Sequence, residues 1–177
     1  MRDDLPERLR RSIRDIPDFP QPGVLFRDVT TLLLDPGLVA EAIDALWETF
    51  DRRGITHVVA VEARGFILGM GIAMRCKLPL VLMRKPGKLP AERLSEEYEL
   101  EYGKGRLEVH ADALRPGDRV LIVDDVLATG GTAAAAGRLV RRCGAELVGY
   151  AFLAELGFLE GRARLEGCHV LSLLRYD

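Results

Sequence analysis

Apolar and polar positions along the chain alternate with two periods, and together they predict a series of helices and strands. Leu5, Leu9 and Ile13 recur at helical spacing among charged residues, predicting a short amphipathic helix within residues 5–15. Pro17, Pro20, Pro22 and Gly23 then exclude regular structure and predict a rigid extended loop. Asp35-Pro36 is a helix start, with Asp at the cap and Pro at the first position. Leu38, Ala42, Leu46 and Trp47, with Val39, Ile43 and Phe50, give that helix one broad apolar face, and Gly54 ends it. Apolar runs at 57–61, 79–83, 120–123, 147–154 and 169–174 predict buried strands. Residues 66–76 and the stretch from Ala133 to Gly144 predict helices, with a further short helix at 161–165.

Residues 84–105 break this regularity. They are polar, carry Pro86, Gly87, Pro90, Gly103 and Gly105, and predict a flexible binding loop. Within and beside it, residues 98–102 and 106–110 suggest a flanking antiparallel hairpin. Strands alternating with helices predict a doubly wound, mostly parallel α/β sheet, and 177 residues predict a single domain, 1–177. Ligands of such sheets bind beyond the carboxyl ends of the strands. The strand at 57–61 delivers Glu62 to Gly65 there, the one at 79–83 delivers Arg84 and Lys85, and the one at 120–123 delivers Asp124 and Asp125.

Composition narrows the function classes. Hydrophobic residues make up 48% and charged residues 29%, with a net charge of −2, which fits a soluble protein and gives no basic excess for a nucleic-acid partner. The longest stretch without a charge, Val126 to Gly137, is 12 residues, too short to span a bilayer. The first residues, MRDDLPERLRR, lack the apolar core of a secretory signal, so a cytoplasmic location is expected. Cys76, Cys143 and Cys168 are scattered and form no C-x-x-C, the pattern of reduced thiols. His57, His110 and His169 show no metal-ligand spacing. The chain has 21 Arg but four Lys, so the pair Lys85 and Lys88 in one segment is conspicuous.

The most informative chemistry lies in VLIVDDVLATGGT, residues 120–132: strand, acidic pair, glycine turn and helix. A helix N-terminus leaves N–H groups unpaired and carries partial positive charge, so a phosphate settles there. Gly130 and Gly131 let the backbone curl around it, and Thr129 and Thr132 add hydroxyl donors. Carboxylates repel phosphate, so Asp124 and Asp125 make sense when the ligand also presents hydroxyls, as a sugar phosphate does. A magnesium site of the Walker B kind would need a G-x-x-x-x-G-K-[ST] partner, which the chain lacks.

Other segments add candidates. EARGF places Arg64 at a strand-to-helix turn, where it can fork onto phosphate oxygens or simply pair with Glu62. RKPGKLP holds Arg84, Lys85 and Lys88, an anion clamp or a solvated charge run. YELEYG contains Glu101, a solvent-facing residue of an edge strand or a carboxyl carried into the site, with Glu99 on the same face as the second choice. In GVLFRD, Phe26 stacks on a flat heterocycle or anchors a core, with the Leu25 and Arg27 backbone beside it.

The 120–132 segment strongly resembles the phosphoribosyl-pyrophosphate motif of the type I phosphoribosyltransferases. The order PDFPQPGVLFRD, EARGF, RKPGKLP, LEYG, VDDVLATGGT and LSLLRYD is similar to the adenine-specific branch of that family over nearly the whole chain. The resemblance implies a central mostly parallel sheet flanked by helices, a small N-terminal hood over residues 1–35 that binds the base, and a flexible catalytic loop at 84–105. It implies transfer of 5-phosphoribose from phosphoribosyl pyrophosphate to adenine, giving AMP and pyrophosphate in purine salvage. Ala128 to Thr132 would grip the 5′-phosphate, Asp124 and Asp125 the ribose, and Arg64, Arg84, Lys85 and Lys88 the pyrophosphate, with Tyr102 packing over the closing loop or against the pyrophosphate. Glu101 and Arg64 would be catalytic, Glu101 acting at N7 of the base, and Leu25, Phe26, Arg27 and Ala128 would frame adenine. Magnesium would be held by substrate oxygens without a dedicated protein ligand, and the chain would be a homodimer with no nucleic-acid or membrane partner. The resemblance also implies a cis or strained non-proline peptide between Glu62 and Ala63. A transferase for another purine base, or a non-catalytic sensor of phosphoribosyl pyrophosphate, stands as the alternative. The absence of Lys from 125–132 disfavours a 6-oxopurine.

Overall fold

A computed structural model describes residues 4–99, 104–165 and 167–177. Five parallel strands form the central sheet in the order β4-β3-β7-β8-β9: β3 His57–Val61, β4 Leu80–Met83, β7 Arg119–Leu127, β8 Glu146–Leu156 and β9 His169–Tyr176. The inner strands β3, β7 and β8 are buried on both faces and read as the continuous aliphatic runs expected of a parallel sheet.

On one face pack α1 (Leu5–Ser12), α2 (Pro36–Glu48) and α3 (Gly65–Cys76), burying Leu9, Leu46, Phe50 and Ile72 against Leu121 and Val123. The other face takes α4 (Gly131–Arg142) and an antiparallel hairpin of β5 (Arg93–Glu99) and β6 (Lys104–His110), over Val120 and Ile122. Asp35 caps α2 by accepting from the Leu38 N–H at 3.0 Å, with Pro36 at the first position, as its sequence predicts. Among the described residues no helix is long and apolar enough to cross a membrane.

Three expectations are revised. The proline-rich segment is not wholly irregular: β1 (Arg14–Pro17) pairs with β2 (Leu25–Asp28) around a turn containing a cis Phe19–Pro20 bond. Of the loop expected at 84–105, residues 93–99 are the strand β5. Its charged composition obscured a period of two, in which Leu94, Glu96 and Tyr98 turn inward because Arg138 and Arg142 of α4 accommodate Glu96. Finally, β7 does not stop before the acidic pair. Its pairing with β3 ends at Ala60↔Val123, yet it continues along β8 to Leu127↔Glu155. Asp124 and Asp125 therefore lie where β7 outruns β3.

Candidate active site

The carboxyl ends of β3 and β7, together with the hairpin, enclose an open cleft of about 820 Å³. Its lining includes Glu62, Ala63 and Arg64 after β3, Lys85 after β4, Asp124 and Asp125 of β7, and Thr132 of α4. The strand-end rule thus assembles residues more than 60 positions apart in sequence. Arg84, Lys88, Leu25, Phe26 and Arg27 stand outside that lining.

The glycine turn is built for close backbone approach. Gly130 precedes α4 with φ +80, a conformation open to glycine, and no side chain caps the helix. A smaller pocket of about 70 Å³ lies directly on this turn, lined by Ala128, Thr129, Gly130, Gly131 and Thr132 and by Asp124. The uncapped first turn presents its N–H groups and the positive end of the helix dipole there.

The acidic pair is divided by the pleat of the strand, which points successive side chains to opposite faces. Asp125 is buried at 6% exposure, and the Arg64 Nε donates to its Oδ2. Asp124 accepts the Asp125 N–H at 2.9 Å and forms no ion pair among the described residues. Burial pushes the Asp124 carboxyl well above its ordinary range, and the Asp125 charge adds to the effect, only partly offset by the Asp125 N–H and Arg64. At the first residue of α3, a Cβ on Gly65 would lie 2.8 Å from Asp124 Oδ1 and 2.9 Å from the Val123 carbonyl oxygen, so the turn after β3 presses directly on the acid pair.

Arg64 therefore pairs with Asp125 rather than with Glu62. Its guanidinium also lies 5.4 Å from the centroid of the Phe26 ring, tying β2 to the acid pair. Phe26 is half-buried, edge-on to Phe19 at 5.1 Å, and is not a core anchor. The Arg27 side chain turns away from the cleft, pairing with Asp15 and lying over the Tyr176 ring at 4.2 Å.

The Glu62–Ala63 peptide is cis. Glu62, expected from the sequence only as a partner for Arg64, instead pairs with two cations of the RKPGK segment, Arg84 and Lys88, and holds the Lys85 backbone. Its Oε2 accepts the Lys85 N–H at 2.9 Å and lies 3.3 Å from Arg84 Nε, while Lys88 Nζ pairs with Oε1. Sequence reasoning also missed Tyr98, Lys104 and Arg106, which the hairpin brings to the cleft. Lys104 had a signal, being one of only four lysines and directly following the YELEYG motif. Glu101 and Tyr102 lie outside the described residues. The described residues hold no group of three or more His, Cys, Asp or Glu placed to bind a metal.

An acidic pair on a parallel strand, a glycine turn opening a helix and a cation-bearing turn after the neighbouring strand define a type I phosphoribosyltransferase fold and site. Residues 28–165 match the family model of the phosphoribosyl transferase domain. The adenine phosphoribosyltransferase of Streptomyces coelicolor is 59% identical over 160 residues, 90% of this chain and 88% of that one. The crystal structure of adenine phosphoribosyltransferase from Rhodothermus marinus superposes with a TM-score of 0.93 at 51% identity, covering 97% of this chain and 98% of that one. The Saccharomyces cerevisiae enzyme, solved with an imino-altritol bisphosphate and adenine, gives 0.91 at 41% identity, covering 96% and 98% of the two chains. The chain belongs to the adenine phosphoribosyltransferase family.

Proposed function

We propose that the protein transfers 5-phosphoribose from phosphoribosyl pyrophosphate to adenine, giving AMP and pyrophosphate in purine salvage. The observation that carries this reading is that the cleft holding Asp124, Asp125, Arg64 and Lys85 adjoins the pocket on the uncapped α4 turn, with Asp124 and Thr132 lining both.

In this reading the turn from Ala128 to Thr132 holds the 5′-phosphate by N–H groups and hydroxyls, and Asp124 accepts from the ribose hydroxyls. Asp125 holds Arg64 toward the departing pyrophosphate, assisted by Arg84, Lys85 and Lys88. Phe26 and Leu25 flank the base, with the Arg27 backbone and Ala128 at its edge. Adenine presents N9 to C1′ and passes its N7 proton to Glu101 as the N9–C1′ bond forms. Pyrophosphate leaves with the electron pair of the breaking C1′–O bond. Tyr102 and the parts of 84–105 outside β5 close over the reacting groups, and the 1–35 segment forms the hood above the base. Positioning and electrostatic stabilisation supply most of the acceleration.

Magnesium fits this site as an ion carried by the substrate. The two aspartates are hard oxygen donors, but Asp125 is committed to Arg64, which leaves pyrophosphate and ribose oxygens as the main ligands. The ion would neutralise charge on the leaving pyrophosphate. A second copy of the chain would cover the stripe of Ile67, Met70 and Met74 on α3, which are 44%, 48% and 74% exposed, making a homodimer. The net charge of −2 gives no basic excess for a nucleic-acid partner, and the proposed enzyme works in the cytoplasm on small molecules.

The test is to incubate the protein with magnesium, phosphoribosyl pyrophosphate and each purine base in turn and follow nucleotide formation. Adenine alone should give product, and Glu101→Ala should lower turnover by about 10²–10³-fold with sugar-phosphate affinity intact. Product from hypoxanthine or guanine at a comparable rate, or from no base at all, would refute the reading.

A further inference from the structure

The cations beside the Glu62–Ala63 peptide already hold an anion of the protein's own. The Glu62 side chain is 8% exposed, and its two oxygens divide the cluster between them. Oε2 carries the fixed partners, the Lys85 backbone N–H at 2.9 Å and Arg84 Nε at 3.3 Å. Oε1 carries Lys88, whose side chain is 47% exposed. Burial by itself would raise the Glu62 pKa, but Lys88, the Lys85 N–H and Arg84 outweigh it and hold the carboxyl below its usual value. Arg84 is further fixed by donating to the Lys88 carbonyl oxygen at 3.4 Å, whereas the Lys85 ammonium has no ion-pair partner among the described residues. One acid thus holds two cations, Arg84 and Lys88, and the Lys85 backbone beside the cleft.

We propose that Glu62 is a built-in stand-in for the substrate's pyrophosphate, with Oε1 holding Lys88 before substrate enters and releasing it to the incoming anion while Oε2 keeps Arg84 and the Lys85 backbone in place. This rests on the reading of the cleft as a pyrophosphate site. Two cations five residues apart or closer repel one another, and the carboxylate lets them gather before the ligand arrives. A flexible ammonium on a four-carbon stem suits such an exchange better than a planar guanidinium. The same carboxylate competes for Lys88 once the sugar has been transferred, which loosens the product. Glu62 is then a positioning residue that acts through Lys88.

Calorimetric titration of pyrophosphate with magnesium tests this in the wild type, Glu62→Gln, Lys88→Met and the double variant, with AMP as a control ligand. Glu62→Gln should bind pyrophosphate about fivefold more tightly and AMP as the wild type does, and Glu62→Asp should restore the weaker binding. The gain should vanish in the Lys88→Met background, because the two residues act as a pair. Independently of any Glu62 variant, Lys85→Met should weaken pyrophosphate binding more than Lys88→Met, since only Lys88 leaves one anion to meet another. Unchanged or weaker pyrophosphate binding by Glu62→Gln with AMP binding intact, a gain that persists without Lys88, or a larger loss in Lys88→Met than in Lys85→Met would overturn the inference alone. A wild-type protein that binds neither AMP nor pyrophosphate would overturn the function reading as well.

Discussion

Gly161 passes so close beneath the glycine turn at 128–132 that a Cβ on it would overlap the Ala128 carbonyl oxygen and stand 2.8 Å from the Gly130 nitrogen. The segment is pinned by Glu155, which is 2% exposed and pairs with Arg162, accepts the Ser172 hydroxyl at 3.0 Å and meets Arg175 at 3.3 Å. Arg162 leads the groups that hold this buried carboxyl below its usual pKa, against the opposing effect of burial. Gly161→Ala must displace the turn, because the obstructing atoms are backbone. A misplacement of about 1 Å costs on the order of 10²-fold where geometry sets the rate, so turnover and AMP affinity should both fall steeply. Calorimetry with AMP checks it, and an unaltered affinity would show that the turn does not hold the phosphate.

The central sheet was legible because buried parallel strands are written as aliphatic runs, and β3 was expected at 57–61 just where it forms. The hairpin was expected, but β5 was legible only at its end, Tyr98 and Glu99, because the residue that fills its inward position, Glu96, reads as solvent-facing until α4 supplies Arg138 and Arg142 from 40 or more positions away. Within the cleft, the residue types at the strand ends were legible and their pairings were not. Nothing in EARGF tells whether Arg64 or Lys88 takes Glu62; that follows from where β7 places Asp125. Gly161 carried no local signal at all, since its constraint comes from a turn 30 residues earlier.

Asp124 should exchange stability for function. Its folded pKa is raised above the ordinary value of 3.8 by burial and by the neighbouring Asp125 charge. A raised acid favours the folded state fully below its unfolded pKa and loses that contribution as pH rises through the folded value, so ionised Asp124 is a cost at neutral pH. Asp124→Asn removes the charge and can keep the bond from the Asp125 N–H. Its melting temperature without ligand should exceed the wild type's by a few degrees at pH 7.5, the gap closing on acidification. Its AMP affinity should fall by about 10-fold or more as a charge-assisted contact is lost. Thermal melts across pH would refute this if the variant were less stable at pH 7.5.

Glu96 fastens the hairpin to α4, the helix that opens at the glycine turn. It meets Arg138 Nε at 2.6 Å and Arg142 Nη1 at 2.8 Å, while Arg142 also donates to the Ser95 carbonyl oxygen at 2.5 Å. Arg138 chiefly lowers its pKa, with Arg142 assisting against burial. A lowered acid stabilises above its unfolded pKa and loses that contribution as pH falls through the folded value, so this attachment persists at neutral pH and weakens below the ordinary value of 4.5. Glu96→Ala should speed amide exchange in β5 at neutral pH and lower kcat/KM by about 10-fold, because the cleft wall no longer docks. Unchanged protection of β5 would show that apolar packing from Leu94 and Tyr98 suffices.

Phe26 should set affinity for the base without touching affinity for the sugar phosphate. Of the three residues Leu25, Phe26 and Arg27, it is the one whose ring reaches Arg64, at 5.4 Å, while Arg27 is spent on Asp15 and the Tyr176 ring. The edge-on contact with Phe19 at 5.1 Å and 70° holds the Phe26 ring in one orientation. A base stacked on an aromatic ring gains about 1–3 kcal/mol, so Phe26→Ala should raise KM for adenine by roughly 5–150-fold, leaving KM for phosphoribosyl pyrophosphate near its original value. Phe26→Tyr keeps the stacking face and should stay close to the wild type. The competing outcome is physical and distinct. If the ring works by holding Arg64 against Asp125, both Michaelis constants would rise together in Phe26→Ala, and steady-state kinetics with each substrate varied in turn separates the two.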